Sequence, residues 1–104
     1  MPAELPIGYQ AVHVLIKGRV QGVWYRAWTT ERALALGVEG WVRNLASGDV
    51  EGVYVGSAET VEALIADCRG GPPLARVIEI EQQAYPVADA LALLGQGFQS
   101  LSSA

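Results

Sequence analysis

Two periods alternate along the chain. From Ala11 to Lys17 the apolar residues Val12, Val14 and Ile16 take every second position, with His13, Leu15 and Lys17 between them. That alternation predicts a strand with one face on a core and one mixed face, which carries His13 outward as a surface histidine without a catalytic partner. After a break at Gly18–Trp24 the interval lengthens, and Tyr25, Trp28, Thr29, Ala33 and Leu36 recur at helical spacing while Glu31 and Arg32 lie off that stripe. An amphipathic helix of about three turns follows, with Gly37 placed to end it. Val38–Asn44 and Val50–Gly56 then form the two arms of a β-hairpin around Leu45-Ala46-Ser47-Gly48-Asp49.

A second helix opens at Ser57, a good N-cap, with Glu59 in its first turn and Val61, Leu64, Ile65 and Cys68 as its apolar stripe. Cys68 is therefore expected as a buried small hydrophobe and not as a reactive thiol. Gly70-Gly71-Pro72-Pro73 stops the helix, and Ala75–Gln82 makes a fourth strand in which Ile78 and Ile80 alternate with Glu79 and Glu81. Residues 1–9, with two prolines and no period, are expected to be a tail ahead of a single domain at 10–104. The order βαββαβ, closed by right-handed crossovers, predicts an α+β, ferredoxin-like sandwich, with two helices on one face of an antiparallel sheet. That fold alone does not select a function.

Composition narrows the field. The chain has 104 residues, 51% of them hydrophobic, enough for one domain with a real core. Its net charge of −4 argues against a nucleic-acid surface. The charge is uneven: residues 1–43 hold five basic and three acidic side chains, a surplus of two, so the remainder carries −6. A local anion site in an acidic protein fits this better than a broad basic patch. One cysteine excludes an internal disulfide and supplies no metal cluster, and no apolar run is long enough to span a bilayer or resembles a secretion signal. The expected setting is cytoplasmic, with no membrane partner, no metal and no cofactor.

The chemistry concentrates in Lys17-Gly18-Arg19-Val20-Gln21-Gly22-Val23-Trp24-Tyr25-Arg26, between the first strand and the first helix. Glycines let successive backbone N–H groups turn towards one point, the helix brings its positive end there, and Arg26 adds a planar charged fork. The alternative for Arg26 is a surface salt bridge, and the loop favours an anion. Trp24 either projects beside a bound substrate or covers the helix edge. Asn44, at the end of the second strand, serves either as a turn residue or as an amide that accepts a hydrogen bond from water without repelling an anion. Arg43, one residue earlier, should point to the opposite face and be solvated.

The run Gly18-Arg19-Val20-Gln21-Gly22-Val23-Trp24-Tyr25-Arg26 resembles the signature loop of the acylphosphatase family. So does Leu36-Gly37-Val38-Glu39-Gly40-Trp41-Val42-Arg43-Asn44, with Gly48, Val50-Glu51, Gly56 and the later Gly71-Pro72-Pro73-Leu74-Ala75-Arg76-Val77 at consistent spacing. The resemblance covers roughly two-thirds of the chain. It implies an enzyme that hydrolyses the carboxyl–phosphate bond of a small-molecule acyl phosphate and releases inorganic phosphate. The backbone of Gln21, Gly22, Val23, Trp24, Tyr25 and Arg26 would hold the phosphate, Arg26 would bind it through its side chain, and Asn44 would position the attacking water. Two other classes remain: a non-catalytic acyl-phosphate-binding accessory module, and an RNA-binding module using Trp24 and Tyr25 for stacking.

The C-terminal part departs from the family pattern. A fifth strand with alternating bulky residues is implied, yet Gly97-Phe98-Gln99-Ser100-Leu101 supplies only Phe98 clearly, so this strand should be short or irregular. Pro86–Gly95 is apolar where a charged connection is expected. A short helix there would set Leu91 and Leu94 on the body and leave Val87, Leu93 or Ala90 partly exposed, a surface for self-association in a protein otherwise expected to be a monomer.

Overall fold

The computed structural model describes residues 4–104. Eight elements follow in order: β1 (Tyr9–Arg19), α1 (Tyr25–Leu36), β2 (Glu39–Asn44), β3 (Val50–Ser57), α2 (Ala58–Gly70), β4 (Arg76–Ala84), α3 (Val87–Leu91) and β5 (Phe98–Ser100). The strands form one sheet in the order β4-β1-β3-β2-β5. β1 to β4 pair antiparallel in the ferredoxin-like arrangement, and β5 adds to β2 in parallel. The antiparallel four-stranded sheet and the short fifth strand read from the sequence are both present, and the direction of β5, which the sequence left open, makes the sheet mixed. The cause is topological: β4 ends beside the start of β1, with Ala84 opposite Val12, and the chain crosses to begin β5 beside the start of β2, with Phe98 opposite Gly40. A strand entering from that end must run with β2.

One face of the sheet carries α1 and α2. Val14, Ile16, Val42, Val50, Tyr54 and Phe98 from the strands meet Tyr25, Ala33, Val61, Leu64, Ile65 and Cys68 from the helices, which are the apolar stripes the two periods predicted. Trp28 packs against this core from its edge. Gly37 ends α1 at φ 75°, its N–H reaching the Leu34 carbonyl. The hydroxyl of Tyr25 donates to the Cys68 carbonyl, and Tyr54 Oη lies 3.3 Å from Cys68 Sγ. Burial pushes the Cys68 thiol up to about 11, so it behaves as a packed apolar group.

β4 departs from its simple alternation. Between the pairs Lys17–Glu79 and Gly18–Val77 the register shifts by a bulge, which leaves Ile78 opposite no residue. Ile80 is buried as predicted and Val77 packs on the core, but Ile78 is 83% exposed. The bulge brings the two backbones so close at Gly18, φ 128°, that a Cβ there would lie 2.1 Å from the Arg76 carbonyl oxygen. Only glycine fits, and it fixes where β1 hands the chain to the following loop.

The second face is covered at one end by the Pro86–Gly95 segment. Ala90 is fully buried against Ala11, Val53 and Val55, with Trp41, Tyr85, Leu93 and Leu94 packed around them. The expected partial exposure is corrected for Ala90 alone: a small Ala90 lets the single turn of α3 sit close on the sheet, while Leu93 is half-buried and Val87 stays outside. Glu39 fixes the return, its Oε2 accepting from the Gly95 and Gly97 N–H groups at 2.6 and 3.1 Å.

At the other end of this face His13 Nε2 and Arg43 Nε donate to the two oxygens of Glu51 at 2.7 and 2.6 Å, and the Arg43 guanidinium lies 5.0 Å from the Trp41 ring centre. Arg43 therefore points to the predicted face but is paired, not freely solvated. Burial alone would raise the Glu51 pKa; hydrogen bonds and charge from His13 and Arg43 outweigh it and hold the carboxyl below its ordinary 4.5. A lowered folded-state value contributes stability above the ordinary value and loses it as pH falls through the folded one. Glu51→Gln should therefore lower stability at neutral pH by about 1 kcal/mol. Denaturant midpoints followed downward from neutrality should show parent and variant converging once pH drops below 4.5.

Candidate active site

The site lies where β1, β2 and β5 end and α1 begins. Residues 20–24 connect β1 to α1 as a loop pinned inside and left open outside. Val20 and Val23 are buried, 1% and 6% exposed, and Tyr25 behind them is tied to α2 through the Cys68 carbonyl. From the flank, Gln21 Nε2 donates to both the Leu45 and Asp49 carbonyls at 2.8 Å, joining the loop to the hairpin turn. Gly22, at φ 73°, and Trp24, at φ 70°, turn the remaining backbone outward. Trp24 is the one non-glycine residue with positive φ among the described residues. Such a conformation costs on the order of 1–3 kcal/mol for a side chain with a Cβ and persists only where its surroundings enforce it.

The start of α1 contrasts with that of α2. In α2 the Ser57 hydroxyl accepts from the Thr60 N–H at 3.3 Å and Glu59 sits in the first turn, so the helix supplies its own negative partners. Trp24 at the head of α1 has no capping side chain, and no acidic residue occupies the first turn. Among the described residues, the backbone N–H groups of residues 21–27 meet no acceptor. Unsatisfied donors at a helix N-terminus favour an anion.

A cleft of about 670 Å³ opens over these donors. Its walls are the loop and first turn of α1, Asn44 from β2, and Ser100, Leu101 and Ser102 from β5 and its continuation. Arg26 is the one charged residue of this lining and no carboxylate shares it. Arg26 Nη1 donates to the Leu101 carbonyl at 2.9 Å, which fixes the fork while leaving its other donors for a ligand. The main chain of Asn44 is engaged: it pairs with Val50 in the sheet and its carbonyl accepts from Ala104 N at 2.9 Å. Its side chain makes no hydrogen bond within the described residues and borders the cleft.

Of the residues expected to hold phosphate or water, Gln21, Gly22, Trp24, Tyr25, Arg26 and Asn44 line this one cleft, while Val23 anchors the loop from below. Tyr25 is 2% exposed and gives no stacking surface, which removes half of the aromatic pair needed for RNA binding. Trp24 projects, 82% exposed, and does not cover the helix edge. Two contributions escaped the sequence. Gln21 acts through its side chain as well as its backbone, and the Leu101 carbonyl orients Arg26 across 75 positions of chain. A polar residue between Val20 and Gly22 hinted at the first; no local pattern carries the second.

Comparison with known proteins agrees with this geometry. Residues 12–99 match the acylphosphatase family model. The chain is 61% identical over 76 residues to an acylphosphatase of Methylococcus capsulatus, covering 73% of this chain and 83% of that one. It is 50% identical over 88 residues to an acylphosphatase of Rhizorhabdus wittichii, covering 85% and 84%. The solved acylphosphatase of Coxiella burnetii superposes with a TM-score of 0.81 at 32% identity, over 90% of this chain and 94% of that one. A signature loop that leaves its N–H groups open, on this fold and at these identities, means that the chain belongs to the acylphosphatase family.

Proposed function

We propose that the cleft holds the phosphoryl group of an acyl phosphate on the backbone N–H groups of residues 21–26 and the Arg26 guanidinium, and that Asn44 orients the attacking water. The activity itself follows from the family: hydrolysis of acyl phosphates to a carboxylate and inorganic phosphate. The observation that carries the residue roles is the uncapped start of α1, whose open donors face the same cleft as Arg26 and Asn44.

The chemistry asks little else of the protein. A water oxygen forms the new bond to phosphorus, the bond from phosphorus to the acyl oxygen breaks, and that oxygen leaves with the electron pair as a carboxylate. Its conjugate acid has a pKa of roughly 4–5, so it departs without a proton from the enzyme. What remains is to neutralise charge on the phosphoryl oxygens and to hold water in line with the leaving oxygen. Backbone donors and a guanidinium suit the first task. An amide suits the second, because its oxygen accepts a hydrogen bond from water and its neutrality does not repel the substrate. Gln21 and the Leu101 carbonyl are positioning groups: one holds the loop against the hairpin turn, the other holds the Arg26 fork.

We take the setting to be cytoplasmic and the working unit to be a monomer. No helix among the described residues is long and apolar enough to cross a membrane. The lone cysteine is buried and forms no disulfide, and the apolar 86–95 segment is turned onto its own sheet.

Hydrolysis of benzoyl phosphate tests the assignment. Arg26→Ala should lower kcat/KM by about 10³-fold and abolish inhibition by inorganic phosphate, since it removes charge neutralisation in both ground and transition states. Asn44→Ala should lower kcat by about 10²-fold or more while phosphate inhibition persists. A folded parent that binds phosphate without hydrolysing the substrate would instead favour an accessory module. Activity surviving in Arg26→Ala would move the site elsewhere. Gln21→Leu, which strips two donors from the hairpin carbonyls, should reduce stability by about 1–2 kcal/mol and kcat/KM by at least tenfold, measured by denaturant unfolding and steady-state kinetics on one preparation.

A further inference from the structure

Across Trp24 from the phosphate cleft lies a second hollow of about 420 Å³, lined by Trp24, Trp28, Glu31, Pro72, Pro73 and Leu74, with Val23 at its floor. Trp24 is common to both cavities. We propose that this hollow receives the acyl group of the substrate, and that the enzyme therefore selects acyl phosphates with an uncharged, flat aromatic acyl group. The inference rests on the phosphate assignment made above and extends it to the leaving group.

Its first support is direction. The strand order places Asn44, at the end of β2, on one side of the β1 terminus, and the 71–75 connection, which enters β4, on the other. In-line displacement sets the attacking and leaving oxygens on opposite sides of phosphorus. With water on the Asn44 side, the acyl oxygen points away from β2, towards β4 and hence towards Trp24 and the Pro72–Leu74 connection. The hydrolytic step is unchanged; the hollow holds the uncharged body of the acyl group that leaves.

Its second support is chemistry. Trp24 and Leu74 are 82% and 74% exposed, and both line the same depression. Water contact with that much apolar surface is unfavourable, and Trp24 is kept there by a backbone conformation that residues with a Cβ rarely adopt. An indole, a leucine and two proline rings offer apolar area with little side-chain freedom to lose on binding, which suits a planar ring. Glu31 is the one ionisable side chain of the lining. Its charge disfavours an acyl group that carries a carboxylate or a second phosphate.

The test compares kcat/KM for benzoyl, acetyl and succinyl phosphate in the parent, Leu74→Ser and Glu31→Gln, with inhibition by inorganic phosphate measured in each. The parent should prefer benzoyl phosphate to both others. Leu74→Ser should cut the benzoyl-to-acetyl ratio by about fivefold while leaving the phosphate inhibition constant at the parental value. Glu31→Gln should raise the succinyl-to-benzoyl ratio by about threefold at low salt, and less at high salt. Ratios that stay parental in both variants, with phosphate inhibition intact, would overturn the acyl subsite and leave the phosphate assignment standing. A folded parent that hydrolyses none of the three acyl phosphates and does not bind inorganic phosphate would overturn both.

Discussion

A helix that begins without a cap leaves strong donors unsatisfied, and a chain free to adjust would turn a side chain back onto them. α1 cannot adjust, because its approach is held from three sides: the Gly18 crossing against Arg76, the buried Val20 and Val23, and the clasp of Gln21 on the Leu45 and Asp49 carbonyls. Tyr25 then fixes the first helical residue to the far helix. The open donors are the outcome of this confinement. Without a ligand they are a local loss, and the core built by β1, β3 and both helices offsets it elsewhere in the molecule. Displacement of the loop by about an ångström would disperse the donors, so the rigidity of the approach is what keeps them aimed at one point.

Much of this was legible in the sequence, and particular residues show why. Val14 and Ile16 on one period, and Val61, Leu64, Ile65 and Cys68 on the other, gave the layers, because burial on one face imposes a repeat that neighbouring positions cannot hide. The cap at Ser57 was legible for the same local reason. Ile78 was misread since a bulge is a relation between two strands, set by Gly18 and Arg76, which lie 58 positions apart. The parallel pairing of β5 was likewise invisible, because Phe98 carries no mark of which edge it will join. At the site, the loop, Arg26 and Asn44 were readable as a pattern of residue types. The hold of Leu101 on Arg26, and of Gln21 on the hairpin turn, arises only when distant segments meet.

The two faces of the sheet divide the labour. The helix-covered face builds the core that anchors the loop. The other is shared between an apolar patch under Ala90 and the Glu51 cluster with His13 and Arg43. Arg43 and Asn44 are neighbours in β2, so alternation sends one to the ion cluster and the other to the cleft. The pairing of Arg43 with Glu51 also spans β2 and β3 at the register that ends with Asn44 opposite Val50. An ion pair remote from the cleft thus supports the strand end that presents the amide.

The bond from Arg26 to Leu101 has a temporal meaning as well as a spatial one. The wall beyond β2 comes from a segment far from the loop in sequence, since Ser100, Leu101 and Ser102 line the cleft and Ala104 bonds to the Asn44 carbonyl. The loop before α1 is synthesised first and the strut for the Arg26 guanidinium 75 residues later. Long-range closure of this kind is slow compared with the local turns and helices that precede it. Assembly of the cleft is therefore a late event in the folding of each molecule, and the docking of β5 completes it after the helices have formed.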